Sequence, residues 1–139
     1  MLRLTRRYPF AASHRLHSDQ LSAEENARLF GKCNNPFGHG HNYVVEVSVS
    51  GVAEEASGML TRREDLDDFV HKKVLTRLDH ANLNTDIPEL ENVVPTTENL
   101  TLLIQSWLAG AWSEFAGGNL QLNRVRIEET GRNSFEVKG

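Results

Sequence analysis

A chain of 139 residues can bury one core but is short for two ordinary domains, so residues 1–139 read as a single domain. Its 39% hydrophobic and 24% charged residues are those of a water-soluble globular protein, and no window approaches the ~20 apolar residues that a membrane helix needs. The net charge of −4 repels phosphate overall, which argues against a nucleic-acid binder and leaves open a local basic pocket for a small anion.

Met1-Leu2-Arg3-Leu4-Thr5-Arg6-Arg7 carries positive charge with no apolar stretch behind it, so no secretory signal is expected. One cysteine cannot form an internal disulfide; Cys33 is expected as a free thiol in a reducing, cytoplasmic setting. Residues 2 to 14 read as a first strand. Ser22-Ala23-Glu24-Glu25 has capping-box spacing and opens a short helix through Leu29 that Gly31 ends. Residues 32 to 41, Lys-Cys-Asn-Asn-Pro-Phe-Gly-His-Gly-His, hold turn formers and read as a shaped loop leading into a strand over 42 to 52, where Val45, Val47 and Val49 alternate with Glu46, Ser48 and Ser50. Thr61-x-x-Glu64 is a second capping-box signature, with Leu66, Phe69, Val70, Val74 and Leu78 at helical spacing behind it and an end near Asp79. A Pro-containing loop over 82 to 96 precedes a third helix whose stripe is Leu100, Leu103, Ile104, Trp107, Leu108, Ala111 and Phe115, a packing face rather than a cofactor box, stopped by Gly117-Gly118. Strands around 121 to 130 and 134 to 138 follow, joined by Gly131-Arg132-Asn133. The order is β, short α, β, α, α, β, β.

His14, His39 and His41 have the look of an open metal shell. A strand points every second residue to one face, so His39 and His41 can aim at one ion, and Phe10, Ala12 and His14 align on their own strand. Structural zinc takes four protein ligands, whereas catalytic zinc takes three and keeps a position for water or substrate. Cys33, six residues before His39, sits among polar Lys32, Asn34 and Asn35, and a neighbouring cation favours its thiolate. Asp79-His80 pairs a carboxylate with an imidazole that it can orient, or is a helix-end histidine at the dipole. Glu129 shares the parity of Val125 and Ile127, so its carboxylate stands at a core position and meets an internal cation or the amidine-like edge of a ligand, or else lies at a strand end already reaching solvent. Thr96-Thr97-Glu98 is an N-cap with a first-turn acid, a role compatible with ligand binding. His17 and His71 read as bystanders.

Phe10 to His17, Gly31 to Tyr43, Leu78-Asp79-His80, Thr96-Thr97-Glu98-Asn99 and Glu129-Thr130 together resemble the 6-pyruvoyl-tetrahydropterin synthase family, nearly end to end and in the same order. The resemblance implies that His14, His39 and His41 bind zinc and that Cys33 is the general base. It makes Asp79 and His80 a relay and Glu129 the pterin anchor, also counted in that relay, with Thr96, Thr97 and Glu98 lining the pterin pocket. It implies an α+β tunnelling fold, a four-stranded antiparallel sheet with helices on one face. Trimers would close a β-barrel and pair into hexamers with active sites between subunits. The implied activity is that of a carbon–oxygen lyase acting on phosphates in tetrahydrobiopterin-type biosynthesis, taking 7,8-dihydroneopterin triphosphate to 6-pyruvoyl-tetrahydropterin and triphosphate without an external redox cofactor. Lys32 and Arg15 are candidates for the triphosphate on charge and nearness.

The nearest rival is 6-carboxy-tetrahydropterin synthase of queuosine biosynthesis. There the cysteine usually stands closer to His-Gly-His and the Asn-Asn-Pro insertion is missing, so the six-residue spacing here favours the pyruvoyl type. A non-catalytic pterin- or zinc-binding module would have no need of Cys33 above a metal, and a structural zinc protein would unfold on chelation.

Overall fold

Two thirteen-residue strands, β1 (Leu2–His14) and β2 (His39–Gly51), pair antiparallel along their whole length, from Leu2 opposite Gly51 to His14 opposite His39. The computed structural model describes residues 1–116 and 119–139. A short β3 (Ala81–Asn82), β4 (Leu120–Glu129) and β5 (Asn133–Lys138) complete one sheet of order β3-β1-β2-β4-β5. The helices are α1 (Ala23–Phe30), α2 (Arg63–Val70), α3 (Thr76–Leu78), α4 (Thr97–Gly110) and α5 (Trp112–Phe115).

The four long strands pair antiparallel, but the sheet is five-stranded and mixed, because β3 runs parallel to β1. This corrects the expectation of four antiparallel strands. The chain leaving α3 is clipped to the free edge of β1: the His80 N–H donates to the Ala11 carbonyl at 2.6 Å and the Leu83 N–H to that of Ser13 at 2.8 Å, while the Asp79 carboxylate accepts the Ala11 N–H at 3.0 Å. A two-residue strand shows no alternation in sequence, so nothing there announced it.

Strand β2 begins three residues earlier than its hydrophobic run suggests. The ladder to β1 persists to the His14–His39 pair, so His39 and His41 stand on a strand rather than in a loop. In the β2–β4 ladder the register shifts between Ser48 and Val49 of β2: Ser48 lies opposite Arg124 and Val49 opposite Leu122, which leaves Asn123 of β4 as the extra residue of a bulge. The bulge lets Leu122 and then Val125, Ile127 and Glu129 share one face.

The Ser22 hydroxyl caps α1 as expected, accepting the Glu25 N–H at 3.1 Å. Thr61 does not cap α2. Arg62 holds that position with no side-chain bond, and the Thr61 hydroxyl reaches only the Arg62 carbonyl at 3.4 Å. The helix continues through one π turn, His71–Leu75, into α3, so its end falls beside Asp79 as the periodicity predicts. The loop over 82 to 96 contains β3's Asn82 and a 3₁₀ turn at Pro88–Leu90. The third expected helix breaks at Ala111 into α4 and α5, and its expected stop at Gly117-Gly118 lies outside the described residues.

Tyr8, Phe10, Tyr43, Val45, Val47, Val125 and Ile127 form one core with Leu66, Val70, Val74, Leu78, Leu100, Ile104 and Leu108 of the helices. Each such burial contributes roughly 1.5–3 kcal/mol before its entropic cost. The opposite parity carries Glu46, only 7% exposed and gripped by Arg7, Arg124 and Arg126. A carboxylate that alternates with the core valines is thus covered by arginines from the two flanking strands.

Candidate active site

The ends of β1, β2 and β4 bring the reactive side chains to one corner of the sheet. His14 is 1% exposed. Its Nδ1 lies 3.0 Å from the Pro95 carbonyl oxygen and 3.4 Å from the Tyr43 hydroxyl. A carbonyl can only accept, so Nδ1 carries the proton and Nε2 is the bare nitrogen of the neutral ring. That buried Nε2 has no hydrogen-bond partner. Buried polar atoms are nearly always paired, so an orphaned imidazole nitrogen points to a group the polypeptide does not supply.

His41 and Cys33 converge on the same point. The ligand atoms of His14, Cys33 and His41 all lie within 4.8 Å of one another, with Cys33 Sγ 3.6 Å from His41 Nε2. The rings of His14 and His41 have centroids 4.7 Å apart, and the exposed His39 ring stands 4.8 Å from that of His41 at a steep angle. The three expected imidazoles are therefore consecutive neighbours, and the thiol joins the two inner ones. Nitrogen and sulfur donors of this kind suit zinc among the divalent ions.

Burial, reinforced by the nearby His41, pushes His14 below the ordinary histidine range, and burial does the same to His41. Both imidazoles are thereby kept in the neutral form that binds metal. Burial, with the Glu129 charge adding to it, pushes the Cys33 thiol up. Without a cation close by, the thiol stays protonated at neutral pH; a divalent ion reverses that balance.

Glu129, opposite Tyr43 on the neighbouring strand, accepts a 2.6 Å hydrogen bond from the hydroxyl of buried Thr97. The half-buried carboxylate is thus partnered by a side chain of α4 and retains acceptor capacity for a ligand. Thr96 uses its hydroxyl as the α4 cap, accepting the Asn99 N–H at 3.2 Å, and Glu98 is exposed in the first turn.

Asp79 and His80 do bond each other, at 3.0 Å between Oδ1 and Nδ1. His80 is a non-glycine residue at φ 64°. His80 lines a cavity of about 450 Å³ together with His41, Thr130, Ala12 of β1 and Gly40 of β2. The chain brings His14, Cys33 and His41 together and links Thr97 to Glu129, while His80 shares with His41 a cavity that neither Cys33 nor Glu129 lines. Arg15 donates through Nε to the Asn34 carbonyl at 3.1 Å, and Lys32 is exposed. Of the two bystanders, His17 bonds Asn34 and Asp19, and His71 is exposed.

Three contributors are not legible in the sequence as site residues: the Pro95 carbonyl that fixes His14, the buried Tyr43 hydroxyl beside it, and Thr130, whose hydroxyl lies 3.2 Å from His41 Nδ1. Tyr43 and Thr130 figure in the sequence only as members of the segments that carry the family resemblance.

Fold and site together define a small α+β protein with a histidine–cysteine centre of metal-binding type at one end of its sheet. Comparison with known proteins sharpens that class. The family model for 6-pyruvoyl tetrahydropterin synthase matches residues 3–139. A Dictyostelium discoideum protein named 6-pyruvoyl tetrahydrobiopterin synthase is 45% identical over 136 residues, 98% of this chain and 95% of the relative. The Homo sapiens protein of the same name is 43% identical over 143 residues, 98% and 90% of the two chains. The structure of Caenorhabditis elegans 6-pyruvoyl tetrahydropterin synthase superposes with a TM-score of 0.88 at 39% identity, covering 99% of this chain and 95% of the other. The chain belongs to the 6-pyruvoyl tetrahydropterin synthase family.

Proposed function

We propose that this protein is a zinc-dependent carbon–oxygen lyase that converts 7,8-dihydroneopterin triphosphate to 6-pyruvoyl-tetrahydropterin and triphosphate. The observation that carries this reading is the near full-length match to relatives bearing the 6-pyruvoyl tetrahydrobiopterin synthase name at 45% and 43% identity. The orphaned His14 Nε2 beside Cys33 and His41 supports a metal at the site.

His14 and His41 would hold the ion, with His39 as third ligand from the exposed side. A bound zinc would supply Lewis-acid polarisation of the substrate's side-chain hydroxyls. Glu129, steadied by Thr97, would accept the paired N–H donors of the pterin ring and so orient the substrate, with Thr96 and Glu98 at the pocket rim. Cys33 as thiolate would take a carbon-bound proton from the side chain, the triphosphate leaving with its bonding electron pair. His80, oriented by Asp79, would return protons as the side chain tautomerises to the diketone and the ring is reduced internally, with no net oxidant consumed.

Both sheet edges support a homo-oligomer, trimer or hexamer: among the described residues, the edge of β1 facing away from β2 over residues 2–10 and the outer edge of β5 carry no strand partner. Among the described residues no helix is long and apolar enough to cross a membrane, and the single free thiol is compatible with the reducing cytoplasm.

Incubation with 7,8-dihydroneopterin triphosphate and zinc, followed by mass analysis, tests the reading. The pyruvoyl product with released triphosphate is expected; the carboxy product with acetaldehyde would assign the protein to the queuosine-type activity, and unchanged pterin would make it a binding module.

A further inference from the structure

We infer that Thr130 is a positioning residue for the metal site: its hydroxyl oxygen accepts a hydrogen bond from the Nδ1–H of His41, and so presents the bare Nε2 of that ring to the ion. The inference rests on the metal-site reading above and adds to it the group that sets the second ligand's tautomer.

Four observations converge. The Thr130 hydroxyl lies 3.2 Å from His41 Nδ1, on the far side of the ring from Cys33, whose Sγ stands 3.6 Å from Nε2. An imidazole that donates from one nitrogen has its lone pair on the other, which is how a second-sphere acceptor selects the metal-binding nitrogen. The backbone of Thr130 has φ 53°, in the left-handed region where a β-branched residue is an outlier. Thr130 and Gly131, at φ 73°, form the centre of the β4–β5 turn, with the Arg132 N–H donating to the Glu129 carbonyl at 3.2 Å and the Thr130 N–H pinned to the Asn42 carbonyl at 2.8 Å. Glycine or asparagine would make that turn without penalty. Thr130 is also exposed and lines the cavity, so core packing gives no reason for a threonine there. What the threonine adds over the easier residues is a hydroxyl against His41.

The two inner ligands are thus fixed differently. His14 is oriented by the Pro95 main-chain carbonyl, which no substitution removes, and His41 by one side-chain hydroxyl, which a single substitution does.

The experiment uses the full chain loaded with zinc, and with Co(II) in parallel, comparing wild type with Thr130→Val, Thr130→Ser and Thr130→Gly. Retention of zinc against a chromophoric chelator and the Co(II) visible spectrum are the readouts, with melting of the same preparations as the control for folding. Thr130→Val keeps the shape and the backbone penalty and loses the hydroxyl. It is expected to weaken zinc retention by roughly 10–100-fold and to shift the Co(II) bands. Thr130→Ser is expected to return to within a few-fold of wild type. Thr130→Gly relieves the positive-φ strain and is expected to hold zinc as poorly as Thr130→Val while melting, after chelation, no lower than wild type. Wild-type retention and spectrum in Thr130→Val, or loss in Thr130→Ser equal to that in Thr130→Val, would overturn the inference. Failure of the wild type itself to retain zinc would instead bring down the metal-site reading, a separate outcome.

Discussion

The sheet buries polar groups in two places and treats them in opposite ways. On the face away from the core, Glu46 is enclosed by Arg7, Arg124 and Arg126, and although Arg124 Nε is unpaired, that guanidinium spends its other nitrogens on Glu46 and Glu136. At the sheet end, His14 is as deeply buried, yet its Nε2 meets nothing in the chain, Cys33 is a thiol that burial keeps protonated, and two non-glycine residues, His80 and Thr130, hold positive φ. In the first cluster every charged group meets an opposite charge, and it reads as architecture. The second is incomplete in a way that an ion and a substrate would complete, and backbone strain gathers at such sites.

Substitutions at the two clusters should separate these roles. The largest effect is expected at Cys33: Cys33→Ala should cut turnover by about 10²-fold or more, the scale of a lost general base, while the protein keeps its zinc. Loss of zinc along with activity would make Cys33 a ligand, which its place within 4.8 Å of both imidazole donors allows a metal assay to decide. Next comes Glu46→Ala, which strands three guanidiniums. Because Arg7 is half exposed and can turn to water, the expected cost is about 1–3 kcal/mol, read as a lowered melting temperature with zinc retention unchanged. The smallest effect is a pH dependence confined to the site. His14 and His41 have folded values below their ordinary one near ~6.5, so in acid the unfolded chain binds protons that the folded chain refuses. Stability of the chelated protein is therefore present at and above neutrality and falls as pH drops through ~6.5 toward the depressed folded values. A melting series from pH 8 to 5 checks this, and His14→Asn should flatten the slope.

Much of this was legible from the residues. Alternation marked both long strands, Ser22 marked the α1 cap, and the parity of Glu129 with Ile127 placed its carboxylate on the inward face, where it is half-buried and accepts from the Thr97 hydroxyl rather than meeting the expected internal cation. What escaped was non-local. The β3 strand exists because Asp79 and His80 clip onto Ala11, far off in sequence, and Thr61 fails as a cap although its spacing to Glu64 is right. His39 and His41 looked like loop residues because Gly40 and the preceding Asn-Pro-Phe-Gly interrupt the hydrophobic pattern, yet pairing with β1 makes them strand. The arginine cover of Glu46 is invisible in an alternating strand, which says nothing of its neighbours, and Thr130 acquires its meaning only when the hairpin turn is folded back on His41.

The most direct measurement is metal content alongside turnover, on the purified protein and on His14→Asn. One divalent ion per chain in the wild type, with ion and turnover both lost in the variant, is the predicted result; a metal-free preparation that still converts 7,8-dihydroneopterin triphosphate at full rate would contradict the account.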